Sequence, residues 1–307
     1  MGIDIKKTIS SWFSSTSDSD SETTSTTSSS LSTSSVTFHI TGSDPPTTPE
    51  PTTPTADEHT KAGSDYDYGY GLSRTSFAEL VSTEYPSLHS SELVHLDHAA
   101  APPSPISAIS ALSSVLTTTL YSNPHSHPST QREVDIMRGR VMCTLFGLGQ
   151  RELERWDLVW TAGTTASLEI IAEHFPWSNA TRYRYLKESH TSLVGIRGCA
   201  LVAGAAVESL DLDAFLISQQ VEGCVLHAYP AQCNVTGSRL GLGPAIALAR
   251  QGRDRKQAIL VDAAAYLSTS PLDLSLVSYE EAPDFVVGSF YKIYVRLPHY
   301  FIEKPSY

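Results

Sequence analysis

The runs Gln257-Ala-Ile-Leu-Val-Asp-Ala-Ala-Ala265 and Asp284-Phe-Val-Val-Gly-Ser-Phe290 decide the fold. Each is a short apolar run rich in β-branched residues, bounded by polar or small residues, and each reads as a strand buried on both faces. Working outward, such strands alternate with helical patterns. DLVWTAG (157–163) runs into the helix TASLEIIAEHF (165–175), and SLVGIRGCALVAG (192–204) reads as one apolar helix leading to the strand AAVESLDL (205–212). GCVLHAYPA (223–231) is a further strand, followed by a polar loop and the helix GPAIALARQ (243–251). Upstream, Ile106–Leu120 carries apolar residues at helical spacing, and Ser129–Leu148 reads as a helix opened by a Ser/Thr cap. Strand–helix alternation of this kind predicts an α/β domain with a mostly parallel sheet and flanking helices.

The first sixty or so residues differ in kind. Ser14–Thr37 is almost entirely Ser and Thr, the tract PPTTPEPTTPT follows, and no Lys or Arg occurs between Lys7 and Lys61. Such a composition buries too little apolar surface to offset its ordering entropy, so residues 1–63 are expected to be a disordered tail and 64–307 the folded part. The 307 residues carry 21 Lys+Arg against 33 Asp+Glu, a net charge of −12, which argues against a nucleic-acid or anionic-membrane binder. The longest apolar stretch, Cys199–Val207, is too short to span a bilayer, and no signal-peptide core follows MGIDIKK. Lys6 stands where a myristoylated Gly2 would want Ser or Thr. Cys143, Cys199, Cys224 and Cys233 lack CxxC or zinc-like spacing, so reduced thiols in the cytoplasm are expected and the sequons at Asn179 and Asn234 are expected to stay unmodified.

In open parallel sheets, ligands bind beyond the carboxyl ends of the strands, so the residues just after each strand matter most. Gly163-Thr164-Thr165 opens a helix, where small residues and unpaired N–H groups suit an anion such as phosphate; a plain helix cap is the competing reading. Asp262 ends a buried strand, either as a turn residue or as the carboxylate partner of a protonated ring nitrogen. Ser289 and Lys292 follow the last apolar strand. A lysine there either reaches solvent or, partly desolvated, holds an aldehyde as a Schiff base. His190, between a strand and a helix, is a loop histidine or a ring that stacks on an aromatic ligand. Gln232 and Asn234 are turn residues or amide donors to a ring hydroxyl. Together they form an ordered set that meets every need of pyridoxal 5′-phosphate.

The sequence resembles class V aminotransferase-like pyridoxal-phosphate enzymes, most closely the N-terminal domain of eukaryotic molybdenum cofactor sulfurases. The resemblance is carried by HLDHAAAPPSP (95–105), NPHS (123–126), TAGTTASLEIIAEHFPW (161–177), ESHTSLVGIRGCA (188–200), AYPAQCNVTGSR (228–239), LVDAAAYLSTSPLDLS (260–275) and PDFVVGSFYKI (283–293). It implies the large domain of PLP-dependent transferase fold type I, the aspartate aminotransferase-like fold. It also implies roles: Lys292 as the Schiff-base lysine, Asp262 on the pyridine nitrogen and His190 on the ring face. Asn234, with Gln232, would reach the ring hydroxyl, and Gly163, Thr164, Thr165 and Ser289 would hold the phosphate. Related desulfurases often carry His before the lysine, where this sequence has Tyr291. The implied chemistry takes sulfur from L-cysteine, leaving alanine, and delivers it through a protein persulfide to the molybdenum cofactor, in an enzyme whose relatives dimerise. The alternatives are another class V cysteine desulfurase, or a remnant that binds cofactor without turnover. After Ile293 the family pattern continues with a Gly-rich turn, a core strand and a small C-terminal domain bearing the persulfide cysteine and the carboxylate-binding arginine. This sequence reads YVRLPHYFIEKPSY instead, so the expectation is a large domain without its small domain, with the β-prone IYVRL standing in for the missing strand.

Overall fold

The computed structural model describes residues 74–89, 94–149, 152–217, 223–251, 256–293 and 299–303. The predicted tail, 1–63, lies outside them. The chain divides into a unit of residues 20–80 and a unit formed by the remainder. Of the former, only residues 74–80, the start of helix α1 (Arg74–Glu84), are described.

The larger unit is built on one seven-stranded sheet: β1 (Asp157–Thr161), β2 (Arg182–Leu186), β3 (Ala206–Leu210), β4 (Val225–Pro230), β5 (Gln257–Asp262), β6 (Phe285–Gly288) and β7 (His299–Glu303). Their spatial order is β1-β7-β6-β5-β4-β2-β3. β3, β2, β4, β5 and β6 run parallel, and β7 lies antiparallel between β6 and β1. The helices are α2 (Ile106–Thr118), α3 (Pro128–Phe146), α4 (Thr164–His174), α5 (Thr191–Gly195), α6 (Arg197–Val202) and α7 (Gly243–Arg250).

Alternation along the central strands sorts the core into two layers. Ile259, Val261, Val286 and Tyr229 join the last turn of α3 (Val141, Met142, Leu145, Phe146) and Ala245 and Leu248 of α7 on one face. Ala258, Leu260, Phe285, Val287, Leu226 and Ala228 join Leu168, Ile171 and Ala172 of α4 on the other, with Leu193, Ile196 and Ala200 of α5 and α6. Both faces of β4, β5 and β6 are thus covered, which is why these strands read as continuous apolar runs.

Several expectations are corrected. The helix predicted over 192–204 is two short helices meeting at Ile196, which carries both the end of α5 and the start of α6. α3 starts at Pro128 rather than at a Ser/Thr cap; the proline sits in the first turn, where its missing N–H costs nothing. The helix at 106–118 forms, but none of its residues is buried. The strand between β6 and β1 is His299–Glu303, downstream of Pro298, rather than IYVRL. An antiparallel partner of β6 must first reverse direction after Lys292, and residues 294–298, which cover most of IYVRL, lie in that span and outside the described residues.

β2 is the strand that sequence patterning left unspelled. Its RYRYL looks half polar, yet Arg184 is only 1% exposed. Its Nε donates to Glu208 Oε2 at 3.0 Å on β3, and its Nη1 and Nη2 donate to the carbonyls of Ile217 (2.8 Å) and Ala214 (2.9 Å). A buried charge with its donors so satisfied is tolerated, and here it ties the β2–β3 edge to the helical turn Leu212–Phe215.

Candidate functional site

Beyond the carboxyl ends of β1, β4, β5 and β6 lies a cavity of about 380 Å³. Its lining gathers Gly163, Thr164, Thr165, His190, Gln232, Asn234, Asp262 and Lys292, eight of the nine predicted residues, from five separate segments. Ser289, the ninth, is fully buried at the end of β6 and is not among the lining residues.

One end of the cavity is the start of α4. Gly163 precedes it in extended backbone (φ 163°, ψ 167°) and caps it with no side chain, so the first-turn N–H groups face the cavity unhindered. The Thr164 hydroxyl donates to the Gly288 carbonyl at 3.0 Å, across 124 residues, so the proton on that hydroxyl is committed and Thr164 offers its backbone N–H. The Thr165 hydroxyl lies 2.9 Å from the Ser192 hydroxyl. Beneath them, Ser167 bonds to the Thr161 hydroxyl (2.8 Å) and to the Gly163 carbonyl (3.2 Å), which fixes the turn.

His190 caps α5: its Nδ1 accepts the Ser192 N–H at 3.2 Å and faces the Ser192 hydroxyl at 3.1 Å. A ring nitrogen that accepts a backbone N–H is unprotonated, so Nε2 carries the proton in the neutral ring. Ser192 therefore links the two sides of the cavity, from Thr165 to His190.

Asp262 is the last residue of β5 and 6% exposed. Its Oδ1 accepts the Ala264 N–H at 3.0 Å, and among the described residues Oδ2 has no hydrogen-bond partner. Burial holds the carboxyl above its usual range, and the Ala264 N–H, Lys292 and His190 pull it back only in part. Lys292 sits in a single 3₁₀ turn after β6, with its Nζ 5.9 Å from the centre of the Tyr291 ring. Burial pushes the Tyr291 phenol up, and the charges of Asp262 and Asp97 push the same way, so it stays a hydrogen-bond donor. Asp97 belongs to the segment 95–105, which thereby contributes charge near this wall.

The Gln232 Oε1 is buried and without a hydrogen-bond partner among the described residues, although Gln232 lines the cavity. An orphaned amide oxygen, an unshared carboxylate oxygen, an amine and an N–H-rich helix start converge on one space. That donor set fits a flat heteroaromatic with a protonated ring nitrogen, an aldehyde and an anionic arm. The sequence reading missed Ser192 and Glu169 as lining residues. Ser192 had one signal, its position two residues after a histidine that opens a helix; Glu169 stands one helical turn past Thr165 and had none.

No family model matches the sequence. Among curated proteins it is similar to molybdenum cofactor sulfurases. It is 38% identical to that of Neurospora crassa (69% of this chain, 23% of that protein) and 35% identical to that of Homo sapiens (74% and 27%). With the Solanum lycopersicum protein it shares 29% identity (74% and 32%). The chain thus spans about a quarter to a third of the length of these relatives. Among solved structures it is similar to a cysteine desulfurase from Thermococcus onnurineus NA1, with TM-score 0.57 and 17% identity over 74% of this chain and 56% of that one. It is also similar to the cysteine desulfurase CsdA from Escherichia coli, with TM-score 0.52 and 21% identity over 68% and 53%. The fold is the large domain of PLP-dependent transferase fold type I, with its mostly parallel sheet and flanking helices.

Proposed function

We propose, from this homology with molybdenum cofactor sulfurases, that the cavity binds pyridoxal 5′-phosphate and that the chain is the cofactor-binding part of a sulfurase. In that enzyme L-cysteine gives up its sulfur, leaving alanine, and the molybdenum cofactor receives it. The observation that carries this is the meeting of Lys292 and Asp262 in one cavity whose anion-seeking end is the start of α4. The cofactor, when bound, supplies the electron sink that loosens bonds around the substrate's α-carbon.

The chain's own residues do the rest. The Lys292 amine would hold the aldehyde as its nucleophilic partner and would serve as the base nearest the substrate. Oδ2 of Asp262 keeps the proton on the ring nitrogen, and the buried setting makes that charge-assisted contact strong. The His190 ring, held by Ser192, covers one face and excludes water from it. The first-turn N–H groups of α4, with the Thr165 hydroxyl, take the anionic arm. Asn234 and Gln232 reach the ring hydroxyl. Ser289, fully buried after β6, opens the turn that carries the amine.

The cytoplasm is the proposed compartment: among the described residues no helix is long and apolar enough to cross a membrane, and the four cysteines are free. Pairing with a second copy of the chain is part of the proposal, supported by the exposed apolar residues Ile109, Leu112 and Leu116 on α2. A second reading is cofactor binding without completed sulfur transfer. It is favoured by one observation: none of the four cysteines lines the cavity.

The experiment is titration of the purified chain with pyridoxal 5′-phosphate, followed by borohydride reduction and peptide mapping. A visible absorbance band, with the reduced label on Lys292 and both lost in Lys292→Ala, is the expected result. Absence of binding by the wild type, or a label elsewhere, overturns it. Added L-cysteine then separates the two readings: alanine with sulfide or persulfide supports the sulfurase, and bound cofactor without alanine supports the second.

A further inference from the structure

Between β4 and α7 the chain forms a small hairpin, 231–240. Gln232 and Arg239 are bridge partners, Leu240 N–H donates to the Ala231 carbonyl at 2.8 Å, and Cys233 N–H donates to the Ser238 carbonyl at 2.9 Å. Its base is anchored twice. The Arg239 guanidinium lies 4.3 Å over the Tyr266 ring, and the Tyr229 hydroxyl donates to the Gly241 carbonyl at 3.1 Å.

The tip has no such anchor. Val235 is 84% exposed, so no apolar packing holds it. Gly237 turns the chain at φ +73°, its N–H donating to the Cys233 carbonyl at 2.9 Å. The Thr236 N–H instead meets the Cys233 sulfur, at 3.4 Å. Burial pushes the Cys233 thiol pKa up, yet hydrogen bonds from the Thr236 side chain and from the Thr236 and Val235 N–H groups outweigh it, and the net shift is downward. The sulfur is thus the collecting point for the tip's donors.

Cys233 is 5% exposed and stands between two residues that line the cavity without lining it itself. Gln232 and Asn234 line the cavity, while the Cys233 sulfur meets the Thr236 N–H within the hairpin. The Gln232 Oε1 is buried and unpartnered among the described residues, which leaves this amide oxygen available to a ligand.

We propose that Cys233 is a positioning residue: its sulfur holds the hairpin tip so that Gln232 and Asn234 present their amides to the cavity. The inference rests on the reading of the cavity as a pyridoxal-phosphate site. It assigns the thiol no part in sulfur transfer, because a sulfur turned inward and occupied by donors cannot reach a substrate.

The test compares Cys233→Ala, which removes the acceptor, with Cys233→Ser, whose hydroxyl accepts the same N–H groups. Without added cofactor, amide exchange at Val235 to Gly237 should speed up about fivefold or more in the alanine variant and return towards wild type in the serine variant. The dissociation constant for pyridoxal 5′-phosphate should rise about fivefold in the alanine variant and recover in the serine variant. With Gln232→Ala and Asn234→Ala already in place, Cys233→Ala should weaken binding no further. Unchanged exchange in Cys233→Ala overturns the proposal, as does an affinity loss that persists without the two amides. If the wild type takes up no cofactor, the cavity reading itself fails, and the exchange measurement still decides whether the sulfur holds the tip.

Discussion

Asp262→Asn should make the chain without cofactor more stable and bind cofactor far less well. The substitution conserves shape, and an amide oxygen at the Oδ1 position still accepts the Ala264 N–H now held at 3.0 Å. What disappears is a buried negative charge that Lys292 and His190 compensate only in part. Removing it should stabilise the chain by about 1 kcal/mol near neutral pH, a rise in midpoint of about 2–4 °C for a domain of this size. The pH dependence follows from the raised carboxyl pKa. The folded state holds this proton more tightly than the unfolded state does. Wild-type stability therefore falls as pH climbs from the ordinary carboxylate range through the raised value, and the advantage of the variant appears over that window. At pH values where the carboxyl is protonated in both states, the two proteins should melt alike. With cofactor the order reverses, because a charge-assisted hydrogen bond to the ring nitrogen is worth about 1.5–3 kcal/mol, or roughly 10- to 150-fold in affinity. Melts from acidic to neutral pH, with and without pyridoxal 5′-phosphate, measure both effects. A variant that is less stable without cofactor at every pH, yet binds as tightly as wild type, would refute the reasoning.

Arg184→Met should cost about 3–5 kcal/mol in urea unfolding, because it strands the Ala214 and Ile217 carbonyls and leaves Glu208 with Arg182 alone. Thr164→Val, which deletes the hydroxyl that donates to Gly288, should cost about 0.5–1.5 kcal/mol and weaken cofactor binding several-fold, while Thr164→Ser should restore both.

The parts of the fold legible in the sequence were those whose environment is uniform. β4, β5 and β6 are buried on both faces, so their apolar runs could be read directly. β2 resisted because the arginine in its middle is neutralised by Glu208 on β3 and by carbonyls from a turn some 30 residues downstream, a pairing that no local pattern announces. The break between α5 and α6 escaped for a similar reason, since Leu193, Ile196 and Ala200 keep one apolar face through it. At the site, the residues directly after each strand were readable because topology alone brings strand ends together. Ser192 and Glu169 reach the cavity through helix geometry instead. For Ser289 the sequence suggested a phosphate contact; the residue is fully buried after β6 and is not among the lining residues.

The lodging of β7 between β6 and β1 has a metric consequence. The anion-seeking turn follows β1 and the amine follows β6; the two strands stand two interstrand spacings apart, roughly 9.6 Å, and the turn crosses back to meet Gly288 through the Thr164 hydroxyl. A spacer is judged by its width, and any five residues able to keep the ladder would hold the two ends equally far apart. This part of the molecule works as a ruler, read off the backbone that pairs β6 with β1.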